Sequence, residues 1–195
     1  MEYRLDKNAL LETLGSWNAF LKRRVHLVAC GGTALTLMGV KPSTKDCDFM
    51  VPVRREHAYL TRTLKNLGYK PVTGSGWMKR GEPFIFDLFS GRRIHTTELL
   101  DDPLQTEHHT VFKEFSHLYV GILNEYDLIA SKLFRGTDVD FEDCLMLVKT
   151  RKNFIDIQFL EKHAKELAFY DVGELRIKGQ IARFMEILKE EKIYG

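Results

Sequence analysis

Two aspartates one residue apart, Asp46 and Asp48, follow a Gly31-Gly32-Thr33 turn in this sequence. Carboxylates at alternate positions of a strand point to the same face. Because like charges held together repel, such a pair needs a cation between its members or contact with solvent. Glycine-rich turns leave backbone N–H groups available for phosphate. The pattern is typical of a metal-dependent nucleotide site, and the alternative is the solvent-facing edge of an ordinary strand.

A third carboxylate strengthens the first interpretation. Asp87 is the only charged residue in the apolar run 84–89, where an ionised group needs a partner. If its strand lies beside the strand of Asp46 and Asp48, three carboxylates converge and can hold two Mg²⁺ ions, one for an attacking hydroxyl and one for a triphosphate. The alternative is that Asp87 pairs with a nearby cation of the Arg92-Arg93 pair.

The elements that must position these side chains fall into two groups. Apolar periodicity and Gly/Pro stops predict helices over 6–24, 33–38 and 54–67, with Asp6 as an N-cap, and strands over 25–30, 46–53, 69–72, 84–89 and 118–123. Glycines 74, 76 and 81 indicate turns. Four helical patterns follow, over 125–134, 140–149, 155–169 and 174–192. The chain is therefore expected to contain an α/β core over residues 1–123 and a helical region over 124–195.

Composition narrows the remaining possibilities. With 195 residues and a formal net charge of +2, the chain fits one compact core with a helical addition, and its charge neither favours nor excludes a nucleic-acid partner. Basic clusters at 22–24, 54–55, 79–80 and 92–93 are either solvated faces or RNA contacts.

Cysteine and histidine patterns predict no second site. Three cysteines without a CxxC pair argue against a disulfide framework or a structural zinc site, and the histidines show no spacing typical of metal ligands. No run approaches the roughly 18 apolar residues of a membrane span, so we expect a cytoplasmic protein without membrane contact.

The order of these motifs resembles that of the nucleotidyltransferase (DNA polymerase β-like) superfamily. The resemblance rests on the segments 31–35 and 44–49, and on a Lys-Leu helix at 127–133 followed by an Asp-x-x-Asp helix from 140. The last two features are most similar to the bacterial and archaeal branch that holds the AbiEii-type toxins and minimal nucleotidyltransferases. The resemblance spans residues 25–147 and implies a mixed β-sheet flanked by helices, followed by a C-terminal helical bundle.

The resemblance also implies roles for individual residues. Gly31, Gly32 and Thr33 would bind nucleotide phosphates, while Asp46, Asp48 and Asp87 would ligate magnesium and serve catalysis. Lys132 would contact the triphosphate, oriented by Asp140 or Asp143. Lys41 or Lys45 would replace an arginine that many relatives carry before the Asp-x-Asp pair, and Arg135 is the nearest candidate for an arginine that accompanies the Asp-x-x-Asp helix. From its apolar neighbours alone, Lys132 either has a buried anionic partner or extends its head to solvent.

The implied activity is magnesium-dependent transfer of a nucleoside monophosphate from an NTP to a hydroxyl of tRNA, a protein or a small molecule, with release of pyrophosphate. The alternative is a non-catalytic protein of the same fold that binds nucleotide or a partner, for example a cognate antitoxin in a toxin–antitoxin system. A third possibility is an RNA-binding module without nucleotide chemistry.

Overall fold

The computed structural model describes residues 4–194, and this part of the chain contains seven helices and nine strands. The first eight elements are α1 (Lys7–Phe20), β1 (Val25–Ala29), α2 (Gly31–Leu37), β2 (Cys47–Val51), α3 (Arg54–Asn66), β3 (Tyr69–Pro71), β4 (Gly76–Lys79) and β5 (Phe86–Ser90). The others are β6 (Arg93–Ile94), β7 (Thr97–Glu98), β8 (His109–Glu114), β9 (Leu118–Leu123), α4 (Glu125–Arg135), α5 (Asp138–Thr150), α6 (Ile157–Phe169) and α7 (Glu174–Glu190).

A seven-stranded mixed sheet has the order β3-β4-β5-β2-β1-β9-β8, and β6 and β7 form a separate two-stranded sheet. The pairs β1–β9 and β2–β5 are parallel, and the other neighbours in the large sheet are antiparallel. The prediction of a mixed α/β fold with helices flanking the sheet is therefore confirmed.

The chain forms two compact units. The first comprises α1 through Arg93 together with Asp101–Leu123, and it contains the large sheet with α1, α2 and α3. The second comprises Ile94–Leu100 and the chain from Asn124 onward, with the four C-terminal helices. The division into a nucleotidyltransferase core over 1–123 and a helical C-terminal region over 124–195 stays a prediction.

Helix α1 shows how the sequence builds the first unit. The Asp6 side chain accepts a hydrogen bond from the N–H of Ala9 (2.9 Å), so the predicted N-cap is confirmed. Leu10, Leu14 and Trp17 recur at three- and four-residue spacing and are buried. The helix ends at Phe20, four residues earlier than predicted, and leaves 22–24 as an exposed connection to β1.

Helices of the second unit also have side-chain N-caps. Asn124 caps α4 by accepting from the N–H of Asp127 (2.8 Å), and Thr137 begins α5 with a reciprocal capping box to Asp140. The core of this unit includes Phe134 and Phe184, both nearly inaccessible to solvent. No helix within residues 4–194 is long and apolar enough to cross a membrane.

The edge strands of the large sheet are irregular. β3 has only three residues and ends at Pro71, while β8 carries a register shift between Val111 and Lys113 against β9. β4 and β8 were not predicted. Gly76 was interpreted as part of a turn, and β8 lacks alternation of buried and exposed residues because none of its side chains is fully buried.

Candidate active site

The candidate site is built on the parallel pair β2–β5, in which Asp48 lies directly opposite Asp87. Directly paired residues of neighbouring strands point to the same face, and the strands are about 4.8 Å apart. The two carboxylates therefore lie side by side on one face of the sheet. Asp48 is only 7% exposed, and Asp87 is half-buried. The strand adjacency on which the sequence argument depended is present.

Asp87 has a further polar contact within this unit. Its Oδ1 accepts a hydrogen bond from Ser75 Oγ (2.7 Å), a residue in the turn before β4. The sequence offered no signal for Ser75, because its proximity to Asp87 depends on the antiparallel pairing of β4 with β5.

The Thr33 side chain connects the first turn of α2 to the start of β2 by hydrogen bonds. Its Oγ1 accepts a hydrogen bond from the N–H of Asp48 (2.8 Å) and donates one to the carbonyl of Asp46 (3.3 Å). Because the hydroxyl already makes these two hydrogen bonds, the backbone N–H of Thr33 is the group that could make the predicted phosphate contact. The first N–H groups of any helix lack an intrahelical partner.

Gly31 lets the Asp48 carboxylate approach the backbone closely. Gly31 has a positive φ of +55°, and a Cβ added there would overlap the Asp48 carboxylate, with only 2.8 Å to its Cγ. At Gly32 a Cβ would lie 2.7 Å from Thr44 Oγ1. The Gly-Gly pair is therefore required by packing at this point, beyond any role in phosphate binding.

We expect Gly31→Ala to destabilise the protein by about 1–3 kcal/mol, because alanine at positive φ is strained and its Cβ displaces the Asp48 carboxylate. Urea unfolding measures the loss. Gly39→Ala is a matched control, since Gly39 also has positive φ (+77°) but a Cβ there would meet nothing within 4 Å. Equal losses in the two variants would show that the approach of Asp48 has no energetic importance.

Asp46 differs from its prediction. It is exposed and precedes β2, which begins at Cys47 rather than at Asp46, so the argument that strand alternation places it on the face of Asp48 does not hold. Burial, followed by the charges of Asp48, Asp46 and Asp87, raises the pKa of the Cys47 thiol well above its usual range. All three carboxylates therefore lie within electrostatic range of one buried thiol.

The carboxylates of this site fit a magnesium ion that is held by few protein ligands. In the part of the chain that the structure describes, no group of three or more His, Cys, Asp or Glu side chains is placed to hold a metal ion. Mg²⁺ is usually bound by one or two carboxylates, with water and substrate phosphates completing its coordination. Asp48 and Asp87 could supply two such ligands, and the participation of Asp46 stays a prediction.

The predicted lysine lies in the second unit. Lys132 on α4 is 2% exposed, and its Nζ lies 2.7 Å from Asp143 Oδ2 and 3.6 Å from Asp140 Oδ1. The possibility that its head extends to solvent is therefore wrong. Asp140 also accepts from Thr137 Oγ1 (2.7 Å) and from the guanidinium of Arg135. Two cations and two carboxylates thus form a balanced cluster.

This cluster controls the ionisation of Asp140. Burial by itself would raise the pKa of this carboxyl group, but the hydrogen bonds from Arg135 and Thr137 and the charges of Arg135 and Lys132 outweigh it and hold the pKa below its ordinary value of 3.8. A lowered pKa in the folded state stabilises the protein at every pH above the unfolded-state value. The contribution is lost as pH falls below that value and through the folded pKa.

We expect the wild-type protein to lose stability on acidification below about pH 4, and Asp140→Asn to show a smaller loss over the same window, since its side chain does not titrate. Urea midpoints between about pH 3 and 6 measure this difference. Asp138→Asn, at a largely exposed position of the same helix, should retain the wild-type pH profile. Identical profiles for Asp140→Asn and wild type would contradict the prediction.

The three cysteines are free and buried, as expected of core residues. Lys45 is exposed, beside the Asp46–Asp48 segment. His163 Nε2 lies 2.7 Å from Asp127 Oδ1 in the second unit, and no histidine within residues 4–194 belongs to a metal-binding group.

Comparison with known proteins identifies the class. Residues 10–192 match a family described as "Nucleotidyltransferase of unknown function (DUF6036)". Because the match extends over most of the sequence, the chain belongs to this nucleotidyltransferase family. The prediction of a nucleotidyltransferase is confirmed at this level, and membership of the AbiEii-type branch stays a prediction. No curated protein is significantly similar in sequence.

Several solved structures are similar in fold. ANT(2″)-Ia in complex with adenylyl-2″-tobramycin has 14% identity and a TM-score of 0.45, with 91% of this chain and 96% of that chain covered. A nucleotidyltransferase-like antigenic protein from Paracoccidioides brasiliensis has 15% identity and a TM-score of 0.48, covering 90% and 95%. A candidate nucleotidyltransferase from H. pylori has 17% identity and a TM-score of 0.48, covering 95% and 98%. At this distance they say nothing about substrate.

Proposed function

We propose that this protein transfers a nucleoside monophosphate from an NTP to a hydroxyl acceptor and releases pyrophosphate, in a reaction that depends on Mg²⁺. The observation that carries the proposal is the pairing of Asp48 with Asp87 on neighbouring parallel strands, next to the Gly31 backbone. Two neighbouring carboxylates, one of them only 7% exposed, are a donor arrangement that Mg²⁺ binds together with water and substrate phosphates.

Asp48 and Asp87 would hold the metal, with Asp46 as an additional ligand. Bound there, Mg²⁺ would supply positive charge that stabilises the developing charge on the triphosphate and the leaving pyrophosphate. The backbone N–H groups of Gly31, Gly32 and Thr33 would bind phosphate oxygens. Asp87, less buried than Asp48, would accept the acceptor's proton or position the group that does.

The two lysines that are predicted to contact the nucleotide lie in different surroundings. Lys45 is exposed and lies beside the Asp46–Asp48 segment. Lys132 is already neutralised by Asp143 and Asp140, so a contact with the triphosphate would compete with two ion pairs. We propose Lys45 as a nucleotide contact, and the cluster around Lys132 accounts for the burial of Lys132 by itself.

The test is transfer of label from α-³²P NTPs, with each base and with Mg²⁺ or Mn²⁺, to tRNA, protein and small-molecule hydroxyl acceptors. We expect transfer with at least one acceptor and its loss in Asp46→Ala/Asp48→Ala. Transfer that persists in this variant would refute the assigned site. Calorimetry with Mg·NTP, run in parallel, identifies the alternative: binding without turnover would indicate a non-catalytic protein, such as one that acts through a cognate antitoxin.

A further inference from the structure

Two basic segments that are about 30 residues apart in the sequence lie together in the first unit. The segment Lys22–Arg24 precedes β1, and the segment Arg54-Arg55 begins α3 shortly after β2. Because β1 and β2 are antiparallel, the start of β1 and the end of β2 lie next to each other at the same end of the two strands. Arg23, Arg24 and Arg55 line one cleft of about 250 Å³ together with Glu56 and Tyr59.

The charge in this cleft is only partly compensated. Glu56, its one acidic residue, bonds to His26 Nδ1 (3.0 Å), and Arg24 bonds to Glu114 (2.7 Å) outside the cleft lining. Lys22, Arg23 and Arg55 are exposed, and none of them forms an ion pair with any residue between 4 and 194. Three exposed cations thus converge without acidic partners, although the net charge of the chain is only +2.

Aromatic side chains lie between these cations. The Tyr59 hydroxyl accepts a hydrogen bond from the N–H of Lys22 (2.8 Å), and the Arg23 guanidinium lies 5.8 Å from the centre of the Tyr59 ring. Tyr59 also lines an adjoining cleft of about 330 Å³, to which Lys22 and Phe20 contribute. Phe20, which lines this second cleft, is 58% exposed, so its ring is accessible to a ligand.

We propose that this surface, made of Phe20, Lys22, Arg23, Arg55 and Tyr59, binds single-stranded nucleic acid. Cations that follow a phosphate backbone, interleaved with rings on which bases stack, are the features by which proteins hold single strands. A folded duplex offers no unstacked base to Phe20, and a free phosphate makes no use of the rings. The chemistry therefore favours an unpaired polynucleotide segment.

The surface is separate from the carboxylate pair. Gly31 follows the end of β1, whereas Lys22–Arg24 precedes its start, and the five residues of β1 span about 13 Å along the strand. Substitutions in the basic surface should leave Asp48 and Asp87 undisturbed. The inference therefore does not depend on the proposed transferase activity, and each can fail alone.

Fluorescence anisotropy with labelled single-stranded RNA and DNA of about 12 nucleotides, from about 50 to 200 mM salt, tests the proposal. We expect Arg23→Gln/Arg55→Gln to weaken binding roughly tenfold or more and to lower the slope of log K against log salt by about 1.4, since each phosphate contact contributes about 0.7. Phe20→Ala should weaken binding about fivefold or more with little change in slope.

The control Arg80→Gln/Lys152→Gln removes two exposed charges elsewhere and should bind as wild type does. Asp48→Asn should also keep nucleic-acid affinity, and circular dichroism confirms that each variant is folded. The proposal is overturned if wild type does not bind at about 50 mM salt, if the control loses as much affinity as the test variant, or if millimolar inorganic phosphate displaces the oligonucleotide as well as unlabelled oligonucleotide does.

Discussion

Asp48→Asn is expected to remove the thermal stabilisation that Mg²⁺ with a non-hydrolysable NTP analogue gives the wild-type protein. A ligand at about 100 times its Kd stabilises the folded state by about 2.7 kcal/mol. For a chain of this size that corresponds to a rise in Tm of roughly 5–10 °C. Asparagine is similar in shape to aspartate but carries no charge, so the variant should show little of this rise, and transfer should fall by about 10²–10³-fold or more.

The metal-free protein is the reference state for this experiment. Because removing one of two adjacent carboxylates changes their mutual repulsion, the effect of Mg²⁺ and nucleotide on Asp48→Asn is measured as the rise in Tm above the variant's own metal-free value. Asp87→Asn should behave alike, and Glu12→Gln, at an exposed position of α1, is the control for loss of a carboxylate elsewhere. Equal stabilisation of Asp48→Asn and wild type by Mg²⁺ and nucleotide would exclude Asp48 as a ligand.

Lys132→Met is expected to destabilise the protein by about 3–5 kcal/mol, because it leaves the buried Asp143 carboxylate without its cation. The Lys132–Asp143 pair is 3% and 6% exposed, so solvent cannot replace the lost partner. Lys149→Met is the matched control, since its partner Glu191 lies in an exposed pair at 2.7 Å and should contribute less than about 1 kcal/mol. Urea unfolding measures both variants.

The double variant Lys132→Met/Asp143→Leu separates the structural role from nucleotide binding. It removes one charge of each sign and keeps Asp140 paired with Arg135, so it should recover much of the lost stability. If it folds and binds Mg·NTP with wild-type affinity, Lys132 does not contact the triphosphate. A fall in NTP affinity of tenfold or more in this folded variant would support the contact that the family resemblance implies.

Local sequence patterns predict most of the helices and strands, but they do not predict which strands pair with each other. The caps at Asp6 and the run of apolar residues in β2 are local signals, and both were recognisable. The pairing of Asp48 with Asp87 joins two residues that are 39 positions apart in the sequence, and no local period encodes it. From the sequence, the two carboxylates converge only if their strands are adjacent, and β2 and β5 are neighbours in the sheet.

The misplaced residues show the same limit. Asp46 was assigned to a strand because it alternates with Asp48, yet the strand begins one residue later, so alternation alone does not fix a boundary. The partners of Lys132 lie on the next helix, where only the family resemblance placed them, because helical periodicity does not indicate which helices pack together. The basic surface around Tyr59 also depends on antiparallel pairing, which brings two separate charge clusters to one place.

The two outer strands of the sheet have a consequence for association with other chains. An outer strand with free N–H and C=O groups can accept a further strand, which leads to aggregation or domain swapping. Here β3 is short and ends at a proline that cannot donate a hydrogen bond, and β8 is bulged and ends in Lys113 and Glu114. Both margins therefore resist strand addition, so self-assembly by extension of this sheet is disfavoured.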